Sequence, residues 1–282
     1  MEPPNIGGGE TVGGAEPSTK HEEEGMTRKT NAALVLVLAF ALIAGACGGG
    51  ETTEYDLVEE GTLTVCSDIP YPPFEDEVGG EYVGIDVEIM AAIAEELGLE
   101  MAFVGTGFEA ITTGTAMVAG NCDIAASAIT IKAEREENVD FSDPYLEVDQ
   151  SLLVPVDSGY STLDDFVGLR LGVQSGTTGM DYALENAPEG VGQIVDFPTG
   201  GDLFVALAAG TIDGILQDKP VNELRAEADP SVQIVETYET NELYGLAVQE
   251  EGKEALLTDV NDALAKFKGD GTLDAIFNKW FG

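Results

Sequence analysis

The chain has 282 residues, enough for one large domain or two smaller ones. Its 53 acidic and 12 basic residues give a formal net charge of −41. Coulomb repulsion at that charge opposes binding to nucleic acid or to an anionic membrane surface, so we predict no nucleic-acid partner.

The N-terminal region is predicted to direct export rather than to fold. Residues 1–25 are polar and rich in Gly and Pro without apolar periodicity, which is typical of a disordered or non-physiological extension. Met26 is the predicted physiological start, because a basic pair and an apolar run ending at Ala46 follow it. A basic segment, an apolar stretch and small residues in that order indicate a signal peptide over 26–46.

Cys47 directly follows the small residues IAGA and resembles the lipidated cysteine of bacterial lipoproteins. We therefore predict lipid attachment at Cys47, a tether over 47–59, and anchoring at the outer face of the cytoplasmic membrane. The alternative is a retained membrane anchor, but the apolar run of 15 residues falls short of the ~20 that span a bilayer.

The scarcity of histidine limits the chemistry of the rest of the chain. The only histidine, His21, lies upstream of Met26, so no Ser-His-Asp triad, histidine-bearing metal site or Cys-His nucleophile can be assembled downstream. Beyond Cys47 the cysteines are Cys66 and Cys122, and two cysteines without histidine disfavour a zinc site. We predict a protein that binds rather than catalyses, with no metal and no cofactor.

From residue 60 onward the chain alternates predicted strands and helices, which indicates an α/β fold. In the first half the predicted strands are 62–68, 100–106 and 122–130, and the predicted helices are 84–98 and 108–120. Asp86 is the predicted cap of the first helix and Gly98 its stop. This alternation implies a parallel sheet covered on both faces, with the loops after the strands on one edge.

A second set of elements begins after the apolar segment at 151–156. The predicted strands are 170–176, 192–198 and 211–218, and the predicted helices are 178–187 and 202–210. The segment 243–249 then leads into two final predicted helices, 254–271 and 272–282. Ligands of open parallel sheets bind beyond the carboxyl ends of the strands, so two such sheets facing each other would form a cleft.

The residues at those strand ends suit a zwitterionic amino acid. Arg135 follows the strand at 122–130 and is the best carboxylate clamp by position, although a surface ion pair with neighbouring glutamates is an equal alternative. Asp218 could meet the ammonium group or, alternatively, cap the next helix. The turn at 175–179 opens a helix and favours an anion. Tyr71 and Phe108 could enclose a side chain, but core packing is the commoner role.

Six segments together resemble the family 3 extracellular solute-binding proteins, the amino-acid receptors of bacterial ABC importers, related to lysine/arginine/ornithine-, histidine- and glutamine-binding proteins. The segments are SDIPYPPFE, GIDVEIMAAIAEELG, ITIKAEREENVDFSDPY, GLRLGVQSGTT, GTIDGILQD and GTLDAIFNKWFG. The resemblance covers about 60–282 and implies a type II periplasmic binding protein fold, in which two α/β lobes joined by two crossover strands close on a ligand.

The resemblance also implies a domain division, with one lobe at 60–148 and 243–282 and the other at 149–242. The hinges would lie near Glu147–Ser151 and Tyr238–Leu243. The implied partners are a free amino acid and a membrane-embedded ABC permease, and the protein would act as a monomer.

Residue by residue, the resemblance implies a ligand-binding site. Arg135 and the backbone N–H of Thr178 match carboxylate contacts, and Asp218 matches the ammonium-binding aspartate. The other matched positions are Ser127 and Thr130 (polar contacts), Tyr71 and Phe108 (the aromatic pair) and Asp68 (an acid that faces the ligand side chain). Lys132 and Ala128 depart from the family pattern, where threonine and serine are common.

These matches favour a polar ligand, either a basic or a glutamine-like amino acid. The alternative is an enzyme on the same scaffold, similar to cyclohexadienyl dehydratase, with a carboxylate such as Asp68 as general acid. The same alignment sets Cys66 near the end of its strand and Cys122 at the start of another. We therefore expect two buried thiols more than ~7 Å apart between Cα atoms rather than a disulfide.

Overall fold

The computed structural model describes residues 55–282. The predicted extension at 1–25, the signal peptide at 26–46 and the lipidation site Cys47 lie outside the described residues. Of the predicted tether, the described part already packs on the fold, because the Tyr55 hydroxyl donates to Asp259 (2.5 Å). No helix within 55–282 is long and apolar enough to cross a bilayer.

The chain forms alternating strands and helices, as predicted. The strands are β1 (Thr62–Ser67), β2 (Asp76–Val78), β3 (Glu81–Val83), β4 (Glu100–Gly105), β5 (Ile124–Ala125), β6 (Val139–Phe141), β7 (Leu146–Pro155), β8 (Arg170–Gln174), β9 (Gln193–Phe197), β10 (Gly214–Asp218), β11 (Val232–Tyr244) and β12 (Ala247–Gln249). The helices are α1 (Ile85–Leu97), α2 (Phe108–Thr112), α3 (Thr115–Val118), α4 (Thr178–Asn186), α5 (Gly200–Ala208), α6 (Lys219–Ala228), α7 (Glu254–Asp270) and α8 (Thr272–Phe281).

Two five-stranded sheets form the centres of two α/β lobes. The first sheet has the order β4-β1-β5-β12-β6, in which β1 runs parallel to β4 and β5. The second has the order β11-β7-β10-β8-β9, in which β8 runs parallel to β9 and β10. The inner parallel strands β1, β8 and β10 are almost completely buried, as expected when helices cover both sides of a sheet.

Two antiparallel strands connect the lobes. Strand β7 leaves the first lobe at Leu146 and β11 returns to it at Tyr244, and these two residues face each other in the register. Tyr244 also bridges to Thr130 of the first lobe. The lobes are therefore joined side by side, and the carboxyl ends of their parallel strands border the space between them.

The first lobe corrects three expectations about local structure. The predicted helix at 108–120 is divided into α2 and α3, because Gly114 takes a left-handed conformation (φ 70°) between them. The predicted strand at 122–130 forms ladder pairs only as β5, and the chain turns at Ala128, which has a positive φ of 47°. Beyond β5 the segment is therefore a loop that faces the second lobe.

Asp86 is not the cap of α1, contrary to the prediction. Gly84 occupies the cap position, and no side chain caps the helix, which ends as predicted at Gly98. Asp86 is fully buried instead, where it accepts hydrogen bonds from the backbone N–H of Ala128 (2.8 Å) and the hydroxyl of Tyr145 (2.7 Å). Its carboxylate thereby fixes the loop after β5.

The cysteines form a disulfide, contrary to the expectation of two thiols. Cys66 and Cys122 are bonded, with a Cα–Cα distance of 5.6 Å. The prediction failed because Cys122 precedes β5 rather than beginning it, so the chain is free to turn before it enters the sheet. Both cysteines lie in one apolar cluster with α2 and α3.

Candidate functional site

The eight residues predicted to bind a ligand line a single cavity between the lobes. Most lie at or within a few residues of a strand end, where the sheets face each other, and Arg135 lies in the loop between β5 and β6. The lining residues are Asp68, Tyr71, Phe108, Ser127, Ala128, Thr130 and Arg135 from the first lobe and Gln174, Thr177, Thr178 and Asp218 from the second. About 10 Å³ of free space is left between them, close to the room that one water molecule needs.

The second-lobe wall follows from a helix start. Strand β8 ends at Gln174, and Thr177 caps α4 by accepting a hydrogen bond from the N–H of Met180 (3.2 Å) with its side chain. Thr178 is thus the first helical residue, and its N–H belongs to the group at a helix start that has no partner within the helix. Such N–H groups, together with the helix dipole, favour an anion in the cavity.

Arg135 is a buried cation without an anionic partner. Its guanidinium donates to the carbonyl oxygens of Thr130 (2.8 Å) and Gly176 (3.0 Å), and it lies over the ring of Phe108 (5.2 Å to the centroid). No ion pair between described residues includes Arg135. The alternative of a surface ion pair is therefore wrong. The guanidinium is held at the cavity, where a ligand carboxylate could neutralise its charge.

Asp218 provides the opposite charge from the second lobe. It accepts hydrogen bonds from the Tyr71 hydroxyl (2.7 Å) and from Gln150 Nε2 (2.5 Å). Although it stands at the cap position of α6, its side chain makes no capping hydrogen bond. Burial raises the pKa of Asp218 to about 6, and the nearby Glu242 carboxylate contributes to that rise.

Tyr71 reaches Asp218 because the second lobe makes room for its ring. A Cβ atom on Gly200, the first residue of α5, would lie 2.7 Å from the Tyr71 ring. Only glycine permits this close approach of the backbone to the ring. Tyr71 therefore reaches across the cleft while its ring also packs against Phe74 and the core of its own lobe.

Asp68 is the acidic residue at another part of the cavity. Its carboxylate accepts a hydrogen bond from Gln174 Nε2 of the second lobe (2.6 Å). Burial raises the pKa of Asp68 to about 6, although the bond from Gln174 opposes the rise. Its backbone N–H donates to Ser127 Oγ (3.0 Å), so Asp68 and Ser127 are held together.

Three polar residues around the cavity were not predicted. Glu75 is fully buried and accepts the Ser127 hydroxyl (2.6 Å). Gln150 and Glu242 lie on the crossover strands, and Gln150 Nε2 donates to Glu242 (3.0 Å) as well as to Asp218. Gln150 and Glu242 reach the site only through the pairing of β7 with β11, and no local sequence pattern indicates that pairing.

Burial strongly affects the acidity of Glu75. Loss of water raises its pKa well above the ordinary glutamate value, and the neighbouring Asp86 carboxylate raises it further. Burial also raises the pKa of Asp86, to about 6. On the first-lobe side of the site, burial thus raises the pKa of both Glu75 and Asp86.

The two positions that depart from the family pattern lie at the cleft. Ala128 lines the cavity, and Lys132 forms an ion pair across the cleft with Asp181 (2.8 Å) and another with Glu134 (2.7 Å). Among residues 55–282, no group of three or more His, Cys, Asp or Glu side chains could hold a metal ion.

Comparison with known proteins gives a consistent family assignment. The model of bacterial extracellular solute-binding proteins, family 3, matches residues 63–282. The ABC transporter arginine-binding protein 1 of Escherichia coli K12 is 30% identical, over 75% of this chain and 87% of that protein. The L-cystine-binding protein TcyJ of the same strain is 32% identical, over 89% of this chain and 95% of that protein.

Solved structures agree in fold. An ancestral arginine-binding protein bound to arginine superposes with a TM-score of 0.73 at 35% identity, covering 79% of this chain and 99% of that one. An ancestral arginine-binding protein bound to glutamine also superposes with a TM-score of 0.73 at 35% identity. These relatives are named for binding and not for catalysis. The chain belongs to the bacterial extracellular solute-binding proteins, family 3.

Proposed function

We propose that the protein captures a free polar amino acid outside the cell, with a basic amino acid favoured over a glutamine-like one, and delivers it to an ABC importer. One observation carries the proposal. Arg135 from the first lobe and Asp218 from the second line the same cavity, and neither makes an ion pair with another described residue. A zwitterion brings one charge to each.

The carboxylate pole of the ligand would lie between Arg135 and the start of α4. A guanidinium offers a planar pair of donors to a carboxylate, and the N–H of Thr178 adds a donor from the other lobe. The ammonium pole would lie at Asp218. Contacts to both lobes favour the closed arrangement, because a ligand shifts a conformational equilibrium only through its different affinity for the two states.

The preference for a basic amino acid rests on the charge of the cavity. Asp68 lines the cavity as a second acid in addition to Asp218, and Arg135 is the cation that faces them. A ligand with a cationic side chain would bring a second positive charge to Asp68, beside the rings of Tyr71 and Phe108. A glutamine side chain would offer only an amide donor to the same carboxylate. The arginine-bound and glutamine-bound ancestral structures make these the first two ligands to test.

A thermal-shift screen of the twenty amino acids tests the proposed function, because a ligand that binds the native state raises the melting temperature. Arg135→Ala is expected to weaken binding of the selected amino acid at least about 100-fold in calorimetry, since it leaves a buried carboxylate unpaired. Arg170→Ala is the matched control, because Arg170 pairs with Asp213 at the far end of β8. Unchanged affinity in Arg135→Ala would refute the assigned role.

We also propose that the protein is exported, lipid-anchored at Cys47 and monomeric at the outer face of the cytoplasmic membrane. The support is the order of a basic pair, an apolar run and a cysteine after small residues. Mass spectrometry of the N-terminal peptide from membranes of the native host tests the lipid. An unmodified peptide that includes residues before Cys47 would overturn this part of the proposal.

The lobes are proposed to be 60–148 with 243–282, and 149–242, with hinges near Glu147–Ser151 and Tyr238–Leu243. The support is the course of β7 and β11, which pair within the second sheet and reach the first lobe at Leu146 and Tyr244. A bulge in β11 between Tyr238 and Glu242 interrupts the pairing there, so the backbone can change angle at low cost.

A further inference from the structure

The hinge strand β11 brings one carboxylate to the back of the binding cavity. The register shift between Tyr238 and Glu242 is accompanied by a left-handed residue, Asn241 (φ 50°). Glu242 follows this bulge. Glu242 is not among the residues that line the cavity, but it lines the adjacent surface groove, together with Thr130 and Thr178, which line both. It therefore lies behind these two threonines as seen from the cavity.

Glu242 accepts a hydrogen bond from the hydroxyl group of each threonine. Its Oε2 atom accepts hydrogen bonds from Thr130 Oγ1 (2.8 Å) and from Thr178 Oγ1 (2.6 Å). Its Oε1 atom accepts from Gln150 Nε2 (3.0 Å). One of these threonines belongs to the first lobe and the other to the second, so a single carboxylate oxygen connects the lobes.

These bonds fix what the hydroxyls can offer to a ligand. A threonine hydroxyl has one proton to donate and two lone pairs that accept. Because an ionised carboxylate only accepts, both protons are used on Glu242 and only lone pairs are left to face the cavity. Such a pair of acceptors suits an ammonium group and cannot donate to a carboxylate.

Gln150 connects this arrangement to the ammonium site. Its Nε2 atom donates to Asp218 (2.5 Å) and to Glu242 (3.0 Å), and Thr178 Oγ1 lies 3.3 Å from the same nitrogen. Gln150 is fully buried, so its position is set by packing. The two carboxylates and the two hydroxyls are thus held in one network around the pole where Asp218 lies.

We infer that Glu242 is a positioning residue that orients the Thr130 and Thr178 hydroxyls as acceptors for the α-ammonium group of the ligand. This inference rests on the proposed function. On this inference, Glu242 makes the protein bind an amino acid more tightly than the same molecule without its amino group. The paired acceptors form only when the lobes meet, because each lobe supplies one hydroxyl.

The test compares two ligands on each variant by calorimetry. The probe is L-arginine with its des-amino analogue 5-guanidinopentanoate or, if the wild type binds only L-glutamine, that amino acid with glutaramate. Glu242→Gln is expected to weaken binding of the amino acid about 10-fold, because a lost hydrogen bond to a charged group changes affinity by about that factor. Binding of the analogue, which has no ammonium group, should stay within about 2-fold. Glu239→Gln, an exposed change on the same strand, is the control for lost charge.

Glu242→Leu is the second variant, because an amide can still accept one of the hydroxyls whereas leucine accepts neither. It should reduce the preference for the amino acid over its analogue at least as much as Glu242→Gln does. In a Thr130→Val/Thr178→Val background the change to Gln should have no further effect on that preference, since no hydroxyl is left to orient.

The outcomes distinguish a positioning role of Glu242 from a structural one. A reduced preference that disappears in the valine background supports the inference. An equal loss for both ligands would assign Glu242 a merely structural role, and an unchanged or increased preference would also overturn the inference while leaving the proposed function intact. If the wild type binds no amino acid at all, the proposed function fails and the inference falls with it.

Discussion

At the scale of single residues, the cavity holds more acid than base. Asp68 and Asp218 line it, Glu242 lies behind it, and Arg135 is the cation among these groups. Burial disfavours ionisation, and without a ligand the pKa of both aspartates is raised to about 6. Uptake of a cationic group relieves this cost, because an opposite charge favours the ionised form.

The raised pKa values predict that affinity increases with pH. Below pH 6 both aspartates bind protons, and a cationic ligand must displace them. From pH 5 to 7.5, affinity should rise about 10-fold for each aspartate that must ionise, and therefore about 100-fold for a basic amino acid that uses both. Calorimetry across this range checks the slope.

Asp68→Asn is the variant that separates the two contributions. It should reduce the pH dependence to about 10-fold for a basic amino acid, because only Asp218 then titrates. A glutamine-like ligand should show the shallower slope with the wild type already. Affinity that is constant from pH 5 to 7.5 would contradict the assignment of both aspartates to cationic poles.

Glu75→Gln is predicted to stabilise the protein above pH 5. A carboxyl group whose pKa is higher in the folded than in the unfolded chain costs stability as pH rises above the unfolded value. An amide has no charge to bury and can still accept the Ser127 hydroxyl. The melting temperature at pH 8 should rise by about 3 °C or more, with little change at pH 4.

The control for this prediction is Glu77→Gln, since Glu77 is exposed on β2 close by in the chain. It should change the melting temperature little at either pH. A Glu75→Gln protein that is less stable at pH 8 than the wild type would show that the ionised carboxylate is favourable where it lies.

The site could be predicted only as far as its residues follow strand ends. Asp218 ends β10, Thr178 follows β8 closely, and Arg135 lies in the loop after β5, so topology places them on one edge. Glu242 is separated from Thr130 by 112 positions and from Thr178 by 64, and it meets them through the pairing of crossover strands. No local pattern encodes that contact. The ligand-binding roles themselves stay predictions.

At the scale of elements, the predicted bounds of α1, α7 and α8 agree closely with the structure, whereas the largely polar β11 was missed. Strand β11 alternates partly buried and exposed positions along a largely polar sequence, which hid its length of 13 residues. Helix α6, which has a proline in its first turn, was anticipated only through the alternative that Asp218 caps a following helix, and no bounds were predicted for it. The strand predicted at 122–130 was too long because an apolar run does not reveal the turn at Ala128.

The disulfide is expected to contribute substantially to the stability of the first lobe. It connects the end of β1 to the segment before β5 and closes a loop with a sequence separation of 56. Replacing both Cys66 and Cys122 by alanine should lower the free energy of unfolding by about 2–4 kcal/mol, which denaturant titration measures. The wild type in strong reductant should show a similar loss. If the variant without both cysteines is as stable as the oxidised wild type, the disulfide does not contribute to stability.

At the scale of the whole molecule, bonds across the cleft hold the lobes together. They are the contacts of Lys132 with Asp181, Arg135 with the Gly176 carbonyl, Asp68 with Gln174, and Tyr71 with Asp218. Three of these involve residues that line the cavity. The Lys132–Asp181 pair lies at its rim, so it can be removed without touching the proposed ligand contacts.

Asp181→Asn is predicted to increase the radius of gyration of the ligand-free protein in solution scattering. A partly exposed ion pair contributes roughly 0–1 kcal/mol, so the ratio of closed to open molecules should fall by up to about 5-fold. A saturating amino acid should restore the compact form. Glu223→Gln, which removes an ion pair within α6, is the control and should change nothing.

Identical scattering of Asp181→Asn and the wild type, with and without the amino acid, would contradict the role of this pair in closure. An increase that the amino acid does not reverse would point instead to a loss of folded structure. Circular dichroism on the same samples separates these cases.

The bond between Cys66 and Cys122 also has a practical meaning for the maturation of the chain. The sequence contains three cysteines, so with two of them joined only Cys47 can carry a free sulfhydryl. If Cys47 carries the proposed lipid, a maleimide dye added without reductant would label unlipidated molecules once and lipidated molecules not at all. Dye-to-protein stoichiometry would thus report directly how much of a preparation has been acylated.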